Sequence, residues 1–500
     1  MKRPVILLLA AVSLSLLSAC DKKMEQINTD PNSLSTLPDS YLFTTALRNT
    51  FGSSYSISLL QLRFGGQYAH VFTTNTEDRS ADEYNDFHTQ DVYRMMWENF
   101  YTSPLVYINK VLELTGPGGT QENPVHYAIA DIIAVMNFAS ATDCYGDIPY
   151  REGARGSDGI LFPKYDTQDF IYHDLMNRLK NDISELATAD PAMGYIGTDP
   201  AYNNDLTKWA KLANSMRLRL AMRARFADPT NSAAVITECL AQPLLETNDD
   251  NFILTHQESD NSDLYNPWYD VHYTLHFKMS TMFIDWLQST NDPRLQVLVD
   301  TTSKGQYVGV PNGLNDQAFG NLGDWEKNYS DPAPILYAKA QPQYLMCASE
   351  IWFLRAEAAL FGLGSGDPNQ LYQQGIRSNL EMWNVQSADE NNFIDTVAEA
   401  SLYGSDENKF RQIGTQMWIA FVPNYIEAWS NIRRTGYPVI AQRTDANIYS
   451  LGVTNGILPK RFKYASTEYI NNKANVDAAV SIQGQDKIDT PVWWDVHGGK

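Results

Sequence analysis

The stretch Asp205 to Phe226 (DLTKWAKLANSMRLRLAMRARF) constrains the fold more than any other part of this sequence. Leu206, Trp209, Leu212, Ala213, Met216 and Leu220 recur at helical spacing, the apolar stripe of a helix packed on a core. Asp205 stands where an N-cap is needed. The same helix carries Arg217, Arg219, Arg223 and Arg225, too many cations for one solvent face. Some are therefore expected to pair with acids on neighbouring helices, such as Glu350 or Glu357; a phosphate or acidic ligand is the sharper alternative. A helix of this kind needs other helices around it. The sequence supplies them at 89–115 (interrupted near Pro104 and ended by Gly116-Pro117-Gly118-Gly119), 124–143, 168–188, 349–362, 370–384, 389–401 and 407–431. In the second of these Ile129, Ile132, Ile133 and Met136 share one face.

Between the two helical parts, 243–345 is rich in Asn, Asp, Pro and Gly. There Val271, Tyr273, Leu275 and Phe277 alternate with His272, Thr274, His276 and Lys278, which predicts a short strand. From about 436 the chain is loop-rich again. With 500 residues, the sequence exceeds what one compact core usually organises. The expected fold class is mostly α: paired antiparallel helices in tetratricopeptide-like packing, with degenerate repeats and a loop-rich, minor-β portion. The helical scaffold is expected mainly over 89–242 and 346–435, the loop-rich insertion over 243–345 and a loop-rich C-terminal segment over 436–500.

The N-terminus sets location. Met1-Lys2-Arg3 precedes an uncharged run, Val5 to Leu17, too short to span a bilayer and suited to a signal peptide. Leu17-Ser18-Ala19-Cys20 resembles the bacterial lipobox, so 1–19 are read as a lipoprotein signal peptide and Cys20 as the lipidated residue. Two or three acyl chains on Cys20 anchor a protein durably where one does so only marginally. Residues 20–38 form a polar tether, able to span roughly 60 Å from Asp21 onwards at about 3.3 Å per residue. The formal charge of −21 argues against nucleic acid as a partner. Cys144, Cys239 and Cys347 are odd in number and far apart, and read as buried thiols.

Six strings, in order, resemble the SusD/RagB family of outer-membrane nutrient-binding lipoproteins: ATDCYGDIPY (Ala141 to Tyr150), WAKLANSMRLRLAMR (Trp209 to Arg223), NDPRL (Asn291 to Leu295), EIWFLRAEAALFG (Glu350 to Gly362), EAWSNIRRTGYP (Glu427 to Pro438) and the ending from Leu458 to Asp495 with Trp493-Trp494. The closest branch is the one with RRTGYP and a terminal Trp-Trp. The resemblance covers essentially the whole chain and implies a single SusD-like domain over 39–500, built on four helix pairs. It also implies a lid over a SusC-type TonB-dependent transporter, anchored in the outer membrane and facing the cell exterior. The cargo is an oligomeric nutrient, most often a glycan and sometimes a peptide.

A glycan binder needs flat rings beside hydrogen-bonding groups. Tyr265, Trp268, Tyr269 and Tyr273 lie among Asp260, Asn261, Asp263, Asn266 and Asp270, and form the leading candidate site. The residues selected as ligand-binding are Trp268, Tyr269, Tyr265, Asp270, Asn266, Trp97 and Trp325. Trp97 belongs to a helical stripe with Tyr93 and Tyr101, which reads as core as readily as platform. The segment Phe72 to Phe87 is a candidate pocket rim, and Trp493 and Trp494 are expected to pack the C-terminus onto the body. A few ring contacts suit a Kd between about 1 mM and 1 μM.

Catalysis is not expected: the sequence has no HExxH, GxSxG, P-loop or GxGxxG. A lipid-anchored helical glycosidase is the competing reading, since acids are plentiful. No cofactor is expected. Asp143 with Asp147, and the acid-rich run Glu246 to Asp263, are the places where a structural Ca²⁺ would be sought, although neither has EF-hand spacing.

Overall fold

The computed structural model describes residues 37–51, 58–75, 77–86 and 90–496. The signal peptide, Cys20, the tether up to Thr36 and Phe87 lie outside the described residues. The body is helical. In its first half, α1 is Asp39–Phe51, α2 Gln90–Thr102, α3 Pro104–Thr115, α4 Pro124–Tyr145, α5 Gln168–Leu186, α6 Leu206–Ala224 and α7 Pro229–Leu240. The insertion carries α8 (Trp268–Leu275) and α9 (Thr281–Ser289). The second half has α10 (Ala348–Leu360), α11 (Pro368–Met382), α12 (Ser387–Thr396), α13 (Asp406–Ala420) and α14 (Tyr425–Thr435), followed by α15 (Ser466–Asn471) and α16 (Lys473–Gln483).

Local chemistry fixes these boundaries. Asn123 accepts from the amides of Val125 and His126, and Pro124 opens α4 where no amide donor is required. Asp205 accepts from Lys208 N at 3.1 Å and caps α6. Pro104 separates α2 from α3, as expected. The single helix expected over 407–431 is two, because Pro423 has no N–H to donate and disfavours helix at Val422. The strand expected around 271–277 is helix α8, whose buried residues Trp268, Val271, His272 and Leu275 form a helical stripe. Val271 and Leu275, four residues apart, satisfy both periods over so short a run, and packing decides for the helix. α1, α7, α9, α15 and α16 have no counterpart among the expected elements, the last two lying in the segment expected to be loop-rich.

Consecutive helices pack as neighbours: α3 on α4, α4 on α5, α5 on α6, α6 on α7, and later α10 on α11 and α13 on α14. α6 also packs on α10, which joins the two halves. The insertion is an excursion between them. Its two ends pair as antiparallel strands β2 (Phe252–Leu254) and β4 (Gln343–Met346). A second ladder pairs β1 (Phe72–Thr73) with β3 (Lys278–Met279) and ties the N-terminal part to the insertion. The expected pocket rim is partly a buried strap. Asp82 accepts from Asn312 Nδ2 at 2.7 Å and Gly313 N at 2.8 Å, both in the insertion.

The arginines of α6 are buried and paired. Arg219 donates to both Glu350 oxygens at 2.6 and 2.5 Å. Arg225 donates to Glu357 at 2.8 Å, and Arg434 donates to the same carboxylate at 2.5 and 2.7 Å. Arg223 bridges Asp143 and Glu427. The expectation of helix-to-helix pairing thus identifies Glu350 and Glu357 but misses Asp143 and Glu427. Arg433 lies 3.6 Å over the Trp429 ring and 4.6 Å from that of Trp494, and donates to the Asp143 and Lys460 carbonyls. Trp494 is fully buried and donates to Asp143 at 2.8 Å, so the C-terminus is clamped onto α4. Gly146 ends α4 with φ 81°, and a Cβ there would collide with Gln483 Oε1 at 1.8 Å.

Candidate ligand-binding site

Asp143 and Asp147 do not form an open cation site. Asp143 is occupied by Tyr172, Arg223 and Trp494, and Asp147 accepts from Gln168 N at 2.9 Å. Burial pushes the Asp147 carboxyl up to about 6. In the acid-rich run, Asp250 is held by Lys211 at 2.9 Å, Asp260 by Lys339 at 2.9 Å and Glu246 by Arg355 at 3.2 Å. Among the described residues no group of three or more His, Cys, Asp or Glu is arranged to hold a metal. Cys144, Cys239 and Cys347 are buried thiols.

An interior cavity lies where α2, α4, α6 and α14 meet β4, with Arg219, Glu427, Asn137 and Trp268 in its wall. It encloses about 70 Å³, room for a few waters and not for a sugar ring. Trp268 is only 4% exposed and leans on Tyr425 at 5.6 Å, so it supports the core and offers no face to solvent. Trp97, also 4% exposed, is enclosed by Tyr101, Tyr145, Tyr165 and Tyr464. Trp325 is 8% exposed; its indole donates to His276 O at 3.2 Å and its ring lies against Phe319 and Tyr329. Asn266 is fully buried and ties the loop to itself, donating to Gln341 O at 3.2 Å and accepting from Trp268 N at 3.0 Å. These four residues carry the surrounding architecture. None of them, as placed, can stack on or directly bond an external sugar.

Of the remaining candidates, Tyr269 and Asp270 are half-buried at the surface and Tyr265 is buried beside them. α8 turns Tyr269 and Tyr273 outward while Trp268, Val271 and Leu275 face in, as a helical stripe requires. Tyr273 is 54% exposed. Its ring lies 4.8 Å from Tyr269 and 6.0 Å, edge-on, from Tyr337. Tyr265 packs edge-on against Tyr269 at 5.9 Å and donates its hydroxyl to Asp270 at 2.6 Å. That carboxylate pushes the Tyr265 phenol up to about 12. Lys339 sits over Tyr265 and Tyr269 at 5.1 and 5.2 Å. Tyr337 and Lys339 come from a segment roughly sixty residues further along the chain, and nothing in the sequence connects them to α8.

His272 anchors the cluster from below. Its ring stacks on Tyr337 with centroids 3.8 Å apart and planes 18° from parallel. The i, i+4 pair His272 and His276 does not share a metal: His276 leaves the helix in the left-handed conformation, with Nδ1 3.7 Å from Glu326. Burial lowers the His272 imidazole to about 4, helped by the charges of Lys278 and His276. The unfolded chain, near 6.5, therefore takes up the proton first as pH falls. The contribution of His272 to stability is complete above pH 6.5 and is lost progressively towards pH 4, by up to roughly 3 kcal/mol. Urea unfolding at about pH 7 and about pH 4.5 is expected to show that loss, and His272→Gln to remove this share of it. An identical pH dependence in the variant would refute the assignment.

The surface so built offers the exposed Tyr273 ring, the phenols of Tyr269 and Tyr337 and the Asp270 carboxylate, and Asp300 and Asp331 add negative charge near Tyr337. Asp331 is held by the buried Lys278 at 2.8 Å. Rings bind the apolar face of a sugar, and carboxylates and phenols take its hydroxyls.

Residues 31–465 match the model of a SusD-like family described as starch-binding and associating with the outer membrane. A solved structure of a chitin-binding protein is similar, with TM-score 0.81 and 26% identity over 92% of this chain and 100% of that one. A SusD homologue from Bacteroides uniformis gives TM-score 0.80 and 26% identity, over 93% and 100%. A chitin-binding SusD homologue from Flavobacterium johnsoniae gives 0.78 and 24%, over 92% and 98%. No curated protein matches the sequence.

Proposed function

Because this chain belongs to the SusD-like family of starch-binding, outer-membrane-associated proteins, we propose that it captures an oligosaccharide at the cell surface and delivers it to a SusC-type TonB-dependent transporter. It binds its cargo and does not cleave it. Cys20 carries the lipid anchor, and envelope fractionation of wild-type and Cys20→Ser cells tests that part. The observation that carries the ligand reading is the exposed Tyr273 face, framed by Tyr269, Tyr337 and acidic acceptors on the loop-rich insertion. The chitin-binding neighbour makes N-acetylglucosamine oligomers the first candidate, and the family description makes starch oligomers the second.

Calorimetry with both oligomer series is the direct test. Tyr273→Ala is expected to weaken binding about tenfold, the value of one lost ring contact with its burial. Its exposed position predicts little change in thermal stability. Unaltered affinity in this variant would remove the cluster as the site. Chromatography of the incubated sugars is expected to show no shorter products, and rapid cleavage would end the binding-only reading.

A further inference from the structure

A second concavity lies on the flank of the insertion, outside the tyrosine cluster. It is a groove of about 690 Å³ between the end of α9 with the following Leu295–Leu298 turn and the junction of α11 with α12. That size is ordinary for a ligand site. Gln288, Asn291, Gln296, Asn384, Gln386 and Asn392 line it, and all six are exposed. None of these carboxamides is hydrogen-bonded to another described residue. Asp389 is the one exposed acid among the described lining residues, since Asp292 is buried in its pair with Arg294 at 2.5 Å. Among the described residues no Lys or Arg lines the groove.

This lining is chemically selective. The chain carries a formal charge of −21 and has carboxylates to display, yet this hollow is faced almost wholly by neutral groups. A carboxamide donates and accepts from adjacent atoms, which suits a hydroxyl that must do both. An anionic ligand would want a countercharge that the groove lacks. Tyr307, half-buried in the wall, adds a flat apolar surface. The groove also adjoins the tyrosine cluster: its Leu295–Leu298 turn is tied to the segment that carries Tyr337, with Ala333 N donating to Leu298 O at 3.0 Å and Val299 bridging Pro332.

We propose that this amide-lined groove is a second subsite for a neutral oligosaccharide, taking the distal units of chains whose first units rest on the tyrosine cluster. The proposal rests on the glycan reading given above. Hydrogen–deuterium exchange of the full chain tests it, with the hexamers of N-acetylglucosamine and of α-1,4-linked glucose at millimolar concentration as probes. One of them is expected to slow exchange in 287–297 and 384–393 as well as in 268–275. Slowing confined to 268–275 overturns the groove and leaves the tyrosine site standing. Slowing confined to the groove segments overturns the tyrosine site and, with it, the groove's role as the distal subsite of a chain resting there. No slowing anywhere overturns both. The triple variant Asn384→Ala, Gln386→Ala, Asn392→Ala alters only exposed side chains, and an unchanged thermal melt checks its fold. It is expected to bind the responding hexamer at least fivefold more weakly, and wild-type affinity would overturn the subsite.

Discussion

Asp143→Ala is expected to destabilise the protein by about 3–5 kcal/mol, the usual cost of leaving a buried charge without its partner. The reason is a balance among groups almost removed from water. Arg219, Arg223 and Arg433 face Asp143, Glu350 and Glu427, all of them buried. Burial raises the Asp143 carboxyl, and the charge of Arg223 opposes that rise. Alanine leaves Arg223 with Glu427 as its one remaining carboxylate partner among the described residues. It also orphans the Tyr172 hydroxyl and the Trp494 indole, both of which donate to Asp143. Equilibrium urea unfolding should show a lower midpoint at an unchanged slope. Asp143→Asn keeps an acceptor oxygen and should lose less. A cost below about 1 kcal/mol for alanine would mean that the cluster relaxes or hydrates and that its charges are not locked as a set.

Trp494→Ala carries the second large effect, about 3–5 kcal/mol for truncating a fully buried aromatic ring. Its indole fills the space beside Arg433 and Arg223 and closes the C-terminal segment over the end of α4. Limited proteolysis should open the region after α16 in this variant before the helical body is cut. Because Trp494 and Asp143 share a hydrogen bond, the double variant should lose less than the two single losses combined, by about 1 kcal/mol. Simple additivity would show that the tail and the charge cluster are held independently.

The helices of the scaffold were legible because their apolar positions repeat over four or more turns, as in α5 and α6, where no strand reading fits. That Glu350 and Glu357 would pair with cations of α6 was legible for a related reason: cations on a packed helix need anions, and the facing helix carried them; which arginine meets which acid was decided by the fold. α8 was not legible. Over eight residues its apolar positions fit period two as well as period 3.6, and only packing against Tyr425 and Tyr337 selects the helix. The burial of Trp268, selected as a ligand ring, and the exposure of Tyr273 in the same cluster were not legible for the same reason. A tryptophan in a polar loop looks available, but the loop folds so that its indole faces the interior cavity.

The sequence by itself determined what is local or compositional: the helical period, the caps, the requirement that the α6 cations be neutralised, and membership of the family. Tertiary structure alone decided which rings meet solvent and which carboxylate meets three donors. Exposure depends on what packs over a side chain. The covering residues, such as Tyr337 above His272 and Trp494 beside Asp143, arrive from 65 and 351 positions away, a separation that no local pattern encodes.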